Sequence, residues 1–191
     1  MKIILASGSP RRKQLFAQVG IPCEVVVSDA DETISGSPDY QVKELALRKA
    51  YAVRDMIAIG DNIIVAADTL VYINGEVLGK PEGSDGAFAM LKALSGNTHT
   101  VYTGVDVLRG NKNIAFVDTT KVTFRDLTDD EILGYIATGE PFDKAGAYGV
   151  QDKGALLVDR IDGDYFTVVG LPIAKVAAAL REMGYDPWHR D

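Results

Sequence analysis

Residues 7–13, close to the amino terminus, have residue types and a spacing that could form an anion-binding site. The segment Ser7-Gly8-Ser9-Pro10-Arg11-Arg12-Lys13 follows a short apolar run, and Ser9 with Pro10 is typical of a helix start. The free N–H groups of a first helical turn attract anions, Gly8 lets a ligand approach the backbone, and arginine offers forked donors to phosphate oxygens. An ordinary capped helix with solvated arginines has the same residues. Basic residues at a helix N-terminus oppose the helix dipole, and a bound anion would remove this local cost.

Two carboxylates have positions that suit chemistry. Asp68 follows the apolar residues 63–67, which predict a buried strand, and ligands of open α/β sheets bind at the carboxyl ends of strands. Thr69 would accompany Asp68 there, although a turn-forming role for Asp68 remains open. Glu32 ends the acidic stretch Asp29-Ala30-Asp31-Glu32, where magnesium or manganese would find carboxylate oxygens. A solvated loop has the same composition.

Two lysines and two glycine-rich segments could complete such a site. Lys80 precedes Pro81, which restricts it to extended conformations and could direct it toward a phosphate. Lys49 lies in a predicted long helix. Both lysines would by default be solvated surface side chains. Residues 95–99 and 143–151 are polar and rich in glycine, which is typical of loops that close on a ligand.

The histidine and cysteine content excludes several kinds of site. His99 and His189 are the only histidines and Cys23 is the only cysteine, so a multi-histidine metal cage, a thiolate zinc site and an intramolecular disulfide are ruled out. His99 opens a predicted strand, where we expect a hydrogen-bonding structural residue rather than a catalytic base. Cys23 has no identifiable activating partner.

Composition and charge limit the class of protein and its partners. The 191 residues are 47% hydrophobic and 25% charged, as in globular proteins, and 20 basic against 27 acidic residues give a net charge of -7. That balance argues against stable nucleic-acid binding, although a local cluster of cations would still bind a small anion. No apolar run approaches the ~20 residues that span a bilayer, and the first segment turns polar at Ser7, too early for a signal peptide. We therefore expect a cytoplasmic protein with no membrane partner.

The elements that would position these residues alternate between strands and helices. The patterns predict helices over 10–19, 40–59, 84–94, from 128 to near 139, and 172–183; they predict strands over 2–6, 23–27, 63–67, 71–73, 76–78, 98–108, 114–124 and 155–161. Asn74-Gly75 predicts a hairpin turn, and Thr128 with Glu131 predicts a capping box. These elements indicate an α/β fold with a mixed sheet, in a single domain over residues 1–191.

In their order along the chain, these segments resemble the Maf family of nucleoside triphosphate pyrophosphatases. The matching motifs cover nearly the whole chain, and their ordered combination is specific where each motif alone is weak. They are Ser7-Gly8-Ser9-Pro10-Arg11-Arg12, Glu32, Lys49, Ala66-Ala67-Asp68-Thr69, Gly79-Lys80-Pro81, Ser95-Gly96-x-x-His99, Lys144-Ala145-Gly146-Ala147-Tyr148-Gly149-x-Gln151, Ile161-Asp162-Gly163-x-Tyr165 and Val169-Gly170-Leu171-Pro172. No motif position departs from the family pattern.

The resemblance implies a reaction and a fold. The reaction is hydrolysis of a nucleoside triphosphate between its α- and β-phosphates, with a divalent cation (magnesium, manganese or cobalt). The fold is an elongated mixed sheet with flanking helices, forming two lobes around a central cleft as in inosine triphosphate pyrophosphatases. A house-cleaning role that removes modified nucleotides and a homodimer are further expectations at the level of the family.

The resemblance also implies roles for individual residues. Asp68 would accept a proton from water, while Arg12, Lys49 and Lys80 would be the catalytic cations that hold the triphosphate. Glu32 and Asp68 would hold the metal. The expected substrate-binding residues are Ser7, Gly8, Ser9, Arg11, Thr69, Lys144 and Gln151.

Three positions bear on the choice of substrate. Arg11, Thr69 and Gln151 are similar to the family members that act on dTTP and UTP, whereas a sister group directed at methylated GTP has Trp at the first of them. Two alternatives remain: a pyrophosphatase for methylated GTP, and a non-catalytic nucleotide-binding regulator of cell division and septum formation. Arg11 disfavours the first alternative. Intact Asp68, Glu32 and Lys80 disfavour the second.

Overall fold

The computed structural model describes residues 1–57 and 60–188 and has the predicted mixed α/β architecture. Its strands are β1 (Lys2–Ala6), β2 (Glu24–Val25), β3 (Asn62–Ile73), β4 (Glu76–Leu78), β5 (Thr98–Arg109), β6 (Lys112–Phe124) and β7 (Val158–Asp162). Its helices are α1 (Pro10–Gln18), α2 (Pro38–Met56), α3 (Gly83–Leu94), α4 (Asp129–Ile136), α5 (Tyr165–Val169) and α6 (Ile173–Glu182). Three short 3-10 helices, Glu140–Asp143, Ala145–Ala147 and Asp152–Leu157, lie between α4 and β7. Within the described ranges, no helix is long and apolar enough to cross a membrane.

All seven strands belong to one sheet. Its order is β2-β1-β3-β5-β6-β7, with β4 paired to β3. β1 is parallel to both of its neighbours, while the β3–β4 and β6–β7 pairs are antiparallel. Parallel strands are covered on both faces, so their sequences read as continuous apolar runs rather than as alternating patterns. Residues 63–67 of β3 follow this rule, since every one of them is buried.

The chain divides into two compact units. The first contains the described residues of Met1–Asp68, Thr103–Asp118 and Gly170–Asp191, and the second contains Thr69–Tyr102 and Thr119–Val169. Each unit has its own apolar core. That the whole chain is a single domain, as expected from the sequence, stays a prediction.

Helix α2 packs closely on the sheet of the first unit. Its buried side chains are spaced three and four residues apart, so they form one apolar face: Val42, Leu45, Ala46, Ala50 and Val53. Gly104 of β5 lies directly against the helix backbone, where an added Cβ would overlap the carbonyl group of Val42. Glycine at this position therefore permits the close approach that fixes α2, and with it Lys49, relative to the strands of this unit.

His99 has a structural role in the core of the second unit, as predicted. The residue is 2% exposed, and its Nε2 lies 2.7 Å from the hydroxyl oxygen of Tyr148. The rings of Phe124 and Tyr148 pack edge-on against it, with centroids 5.2 and 5.3 Å away. Burial lowers the pKa of His99 to about 4, so the imidazole is neutral near pH 7.

Several boundaries differ from the predicted ones. β2 is limited to Glu24–Val25 rather than residues 23–27, and β7 begins at Val158 because the preceding residues form a 3-10 helix. α2 begins at Pro38, whose ring suits a first helical turn. Its predicted end at Ile59 lies outside the described residues, as does His189. Helix α5 was not predicted, since five residues give too short a periodic pattern.

His99 should make the protein less stable as the pH falls. Because its folded-state pKa of about 4 lies below the ordinary 6.5, the unfolded chain binds more protons between these values. The free energy of unfolding therefore decreases as pH drops through this window, with up to roughly 3 kcal/mol from this residue. We expect His99→Gln to flatten the dependence of that free energy on pH between 4 and 6.5, measured by urea denaturation. Equal slopes for the two proteins would contradict this assignment.

Candidate active site

Lys49 of α2 joins the two carboxylates that the sequence singled out. Its Nζ lies 2.6 Å from Asp68 Oδ1 and 2.9 Å from Glu32 Oε1. The side chains of Lys49 and Asp68 are 17% and 16% exposed, whereas that of Glu32 is 65% exposed. The ion pairs exclude the alternative of a solvated lysine. They form a half-buried charge cluster that reaches solvent through Glu32.

Asp68 was predicted to lie at the carboxyl end of a strand. It lies inside β3 instead. The residues after it, Thr69-Leu70-Val71-Tyr72-Ile73, favour extended backbone and contain no breaker, so β3 continues to Ile73. The strand that ends here is the neighbouring β1, whose last pair in parallel register is Ala6 with Ala66. Asp68 therefore stands two residues beyond the carboxyl end of β1, while its own strand runs on into the second unit.

Arg12 is held in place by two hydrogen bonds. Its Nε donates to the carbonyl oxygen of Gly170 at 2.7 Å, and its Nη1 donates to Ser7 Oγ at 3.0 Å. The same hydroxyl oxygen accepts from the backbone N–H of Ser9 at 3.3 Å. Ser9 is the N-cap residue of α1 and Pro10 begins the helix, as predicted, but the Ser9 side chain makes no capping hydrogen bond. The buried Ser7 organises this turn instead.

The charges of the first unit act on one another. Burial lowers the pKa of the Arg12 guanidinium from its ordinary value; the negative charge of Asp68 raises this pKa, Arg11 lowers it and Glu32 raises it. Arg12 and Lys49 are thus two cations in the field of the same two carboxylates. An anionic ligand that bound Lys49 would compete with its ion pairs to Asp68 and Glu32.

Gly8 and Arg11 are the remaining predicted site residues of the first unit. Gly8 is exposed, and a Cβ added to it would lie 3.5 Å from the side chain of Val27, which is an ordinary contact. Packing in the protein therefore does not require glycine there. Arg11 is half-buried at the first turn of α1.

The other predicted site residues belong to the second unit: Thr69, Lys80, Lys144 and Gln151. A hydrogen bond from the N–H of Gly146 to the carbonyl oxygen of Gly79, at 3.0 Å, joins the segments that carry the two lysines. Lys80 is exposed. The Lys144 ammonium donates to the Glu140 carbonyl at 2.5 Å and to Asp143 Oδ1 at 2.7 Å, so its charge is used within its own loop.

The glycine-rich segment around Gln151 is packed rather than open. Gly146 has a φ of +70°, and a Cβ there would lie 2.9 Å from the side chain of Val71. The backbone N–H of Gly149 donates to the hydroxyl oxygen of Tyr135 at 3.2 Å. Burial raises the pKa of this tyrosine to about 12, so the hydroxyl stays protonated near neutral pH. The glycines here allow close packing, a role that composition did not distinguish from loop closure.

The two predicted metal ligands fit a cation that binds together with substrate. Glu32 and Asp68 converge on one ammonium group, so their oxygens are close together. Within the described residues, no three His, Cys, Asp or Glu side chains form a group that could hold a metal ion. Mg²⁺ usually binds through one or two carboxylates and substrate phosphates rather than in an all-protein cage. A carboxylate pair is the donor set that this mode needs.

Sequence reasoning missed two residues that support the candidate site. Arg48 contacts the loop that carries Glu32, and Tyr135 contacts the loop that carries Gln151. The signal for Arg48 was Glu44 one turn earlier, since a pair spaced i,i+4 shares a helix face. For Tyr135 the sequence has no comparable signal, because its partner lies 14 residues away.

Comparisons with known proteins place this chain among close relatives. Residues 2–183 match a family model described as Maf-like protein. A Bacillus cereus protein named dTTP/UTP pyrophosphatase is 50% identical over 190 residues, covering 98% of each chain. A Bacillus anthracis protein of the same name is 48% identical over the same span and coverage. The solved structure of the Staphylococcus aureus Ham1 protein aligns with 66% of this chain and 73% of that chain, at 16% identity and a TM-score of 0.47.

Replacing Arg12 should destabilise the fold even when its charge is kept. Arg12→Lys removes the planar fork that reaches both Gly170 and Ser7, so one buried acceptor loses its donor. We expect the free energy of unfolding to fall by about 2 kcal/mol in urea denaturation, a typical value for hydrogen bonds to charged groups. The control Arg181→Lys, on an exposed residue of α6, should stay within about 0.5 kcal/mol of wild type. Equal stabilities for the two variants would contradict the anchoring role.

Proposed function

The chain belongs to the family of Maf-like proteins, and from this membership we propose that it is a nucleoside triphosphate pyrophosphatase acting on dTTP and UTP. Water would attack the α-phosphorus, the bond to the β-phosphate oxygen would break, and the products would be a nucleoside monophosphate and pyrophosphate. The observation that carries the proposal is the half-buried cluster in which Lys49 holds both Asp68 and Glu32. The cluster combines a carboxylate that could accept a proton with a cation. The chain is 50% identical to a relative named dTTP/UTP pyrophosphatase.

Asp68 is the proposed proton acceptor. Its carboxylate is held at a fixed place by the Lys49 ammonium, 2.6 Å away, and it retains an oxygen that can accept a proton from water. A base must be oriented as well as available, since proton transfer depends on hydrogen-bond geometry. The ion pair supplies that orientation. Asp68 would remove a proton as the water oxygen attacks phosphorus.

Arg12, Lys49 and Lys80 are the proposed phosphate-binding cations. Charge on the phosphate oxygens and on the departing pyrophosphate increases along the reaction, and fixed cations stabilise it more than mobile water does. The hydrogen bonds of Arg12 and the ion pairs of Lys49 fix these two groups before any ligand arrives. Lys80 follows Gly79, whose carbonyl is bound by Gly146, so the segment that carries it is anchored.

We propose that a divalent cation (magnesium, manganese or cobalt) binds with the substrate at Glu32 and Asp68. When bound, it would neutralise phosphate charge and help to activate water. The charges of the first unit supply a reason for it. Arg11, Arg12 and Lys49 are three cations and Asp68 and Glu32 are two carboxylates, so the cluster has a single excess positive charge. A triphosphate carries several negative charges, so a further cation would help to balance them.

The two alternative functions are less well supported. A non-catalytic regulator of division would need the cations that hold a nucleotide but not the carboxylates, whereas both carboxylates are present and ion-paired. The relatives described above are named for dTTP and UTP rather than for methylated GTP. The cytoplasmic location, the homodimer and the lack of stable nucleic-acid binding stay predictions.

Gln151, with Arg11 and Thr69, is the proposed reader of the base. A glutamine amide both donates and accepts, which matches the O4 acceptor and N3–H donor that thymine and uracil share. Cytosine carries an amino group in place of O4. The Gln151 N–H group that donates to O4 would therefore face another donor. Purines would be rejected by size. The proposal assigns one recognition edge to both substrates, dTTP and UTP.

Asp68→Asn should abolish turnover without unfolding the protein. The substitution keeps the shape of the side chain but removes the charge that accepts a proton and holds Lys49. Asp118→Asn is a matched control, because Asp118 is also a half-buried carboxylate, 13% exposed, with a lysine Nζ 2.7 Å away, on Lys175. We expect pyrophosphate release to disappear in the first variant and to persist in the second, with both folded by circular dichroism. Near-normal activity of Asp68→Asn across a pH series would contradict the assigned role.

A pyrophosphate-release screen tests the proposed function and its selectivity. Wild type should turn over dTTP and UTP faster than CTP, ATP and GTP, in Mg²⁺, Mn²⁺ or Co²⁺ but not in EDTA. Gln151→Ala should reduce the ratio of turnover of dTTP and UTP to that of the other triphosphates. Gln18→Ala, an exposed control on α1, should leave this ratio unchanged. Preference for a purine triphosphate, unchanged selectivity of Gln151→Ala, or full activity in EDTA would each refute the corresponding part of the proposal.

A further inference from the structure

Arg48 donates hydrogen bonds to the backbone of the loop that carries Glu32. Its Nη1 donates to the carbonyl oxygen of Asp31 at 3.2 Å and to that of Thr33 at 3.0 Å. These are the carbonyl groups of the residues immediately before and after Glu32. One nitrogen, with two N–H bonds, therefore holds the backbone on both sides of the proposed metal ligand.

Arg48 is itself fixed on α2. Its Nε donates to Glu44 Oε1 at 3.1 Å, one turn earlier in the helix, and the two side chains are 33% and 29% exposed. Glutamate placed four residues before a basic residue is the favourable order of such a pair. Because the guanidinium group is planar, fixing Nε also fixes the direction of Nη1. Glu44 thus aims the donor that binds the loop.

The loop needs such contacts because it has little structure of its own. Residues 26–37 form neither helix nor strand, and the side chain of Glu32 is 65% exposed. Hydrogen bonds from Thr33 to the Asp31 side chain, one of them from its N–H to Oδ1 at 2.9 Å, shape the turn around Glu32. Further contacts near Glu32 come from α2, where Arg48 binds the loop backbone and the adjacent Lys49 binds the Glu32 carboxylate.

We propose that Arg48 is a positioning residue that presents the Glu32 carboxylate to Lys49 and the divalent cation, an inference that rests on the proposed function. Arg48 touches the backbone of the loop, so it would act on the reaction only through Glu32. Without it, the loop loses two hydrogen bonds and the exposed Glu32 side chain samples positions away from the cluster. The loss should appear in kcat and in the Mg²⁺ concentration that gives half-maximal activity, more than in the KM for dTTP.

A double-mutant cycle with Glu32 separates this role from the alternatives. Arg48→Ala should lower kcat by about tenfold or more, as is typical when a residue that orients a metal ligand is removed. In a Glu32→Gln background the same substitution should change kcat less than about twofold, because there is no carboxylate left to position. Arg54→Ala is the matched control, an exposed arginine on the same helix that pairs with Asp55, and it should leave kcat unchanged.

A second measurement does not depend on activity. Hydrogen exchange of the amides in residues 29–35 should be at least several-fold faster in Arg48→Ala than in wild type, while the Tm and the exchange of the α2 core amides stay near wild type. Arg54→Ala should not change exchange in this loop. The exchange rates report whether the Arg48 hydrogen bonds order the loop, and they do so even for a protein that is inactive on every nucleotide tested.

The outcomes distinguish the two proposals. An inactive wild type with faster loop exchange in Arg48→Ala would refute the proposed function and, with it, the catalytic part of this inference. An active wild type with an equal loss of kcat in both backgrounds would show that Arg48 acts independently of Glu32, and would overturn the inference alone. Unchanged kcat or unchanged loop exchange in Arg48→Ala would overturn it as well.

Discussion

The proposed active site depends on the two ion pairs of the Lys49 ammonium group. This group holds a strand carboxylate, Asp68, and a loop carboxylate, Glu32, at 2.6 and 2.9 Å. Without it, two like charges would face each other in a half-buried setting, where Coulomb energies exceed those in bulk water. Removing Lys49 would leave both carboxylates without their shared counter-charge, whereas after Asp68→Asn the ammonium group would still be paired with Glu32. Neighbouring residues maintain these ion pairs. Gly104 lets α2 approach the sheet, and Arg48 binds the backbone of the Glu32 loop.

The distribution of charge explains how an acidic chain can suit a polyanionic ligand. The net charge of -7 is spread over the whole sequence, whereas the cations proposed to bind phosphate come from a few short motifs. In the first unit, Lys49 is ion-paired with Asp68 and Glu32, and the same two carboxylates act electrostatically on Arg12. In the proposed function, Glu32 and Asp68 would hold a divalent cation together with the substrate, and Lys49 would then be available to bind phosphate. The ion pairs thus hold the Lys49 ammonium at a defined place beside the two carboxylates.

The sequence predicted well those features whose signals are local. The hairpin at Asn74-Gly75 appears in register, with Ile73 opposite Glu76, and the capping box of Thr128 and Glu131 forms as expected. Both depend on a few neighbouring residues, so the pattern contains the physical cause. The α/β class followed from the alternation of such elements.

Features that depend on distant residues could not be predicted in the same way. Asp68 was expected at the end of its strand, because a polar residue after an apolar run resembles an end, but β3 pairs onward into a hairpin. The contacts of Lys49 join residues 17 and 19 positions apart, and no periodicity encodes them. The glycines near Gln151 are typical of a loop that closes on a ligand, and the close approach to Val71 supplies a packing reason for Gly146 that no local pattern encodes. Only the family resemblance assigned roles to these residues, and those roles stay predictions.

The position of bond cleavage tests the central claim most directly. If the Asp68–Lys49–Glu32 cluster activates water against the α-phosphorus, hydrolysis of dTTP in ¹⁸O-labelled water with Mg²⁺ should give dTMP and pyrophosphate. The label should appear in dTMP, where ³¹P NMR detects it as an isotope shift of the monophosphate signal. Label in the pyrophosphate, or formation of dTDP and orthophosphate, would contradict the account.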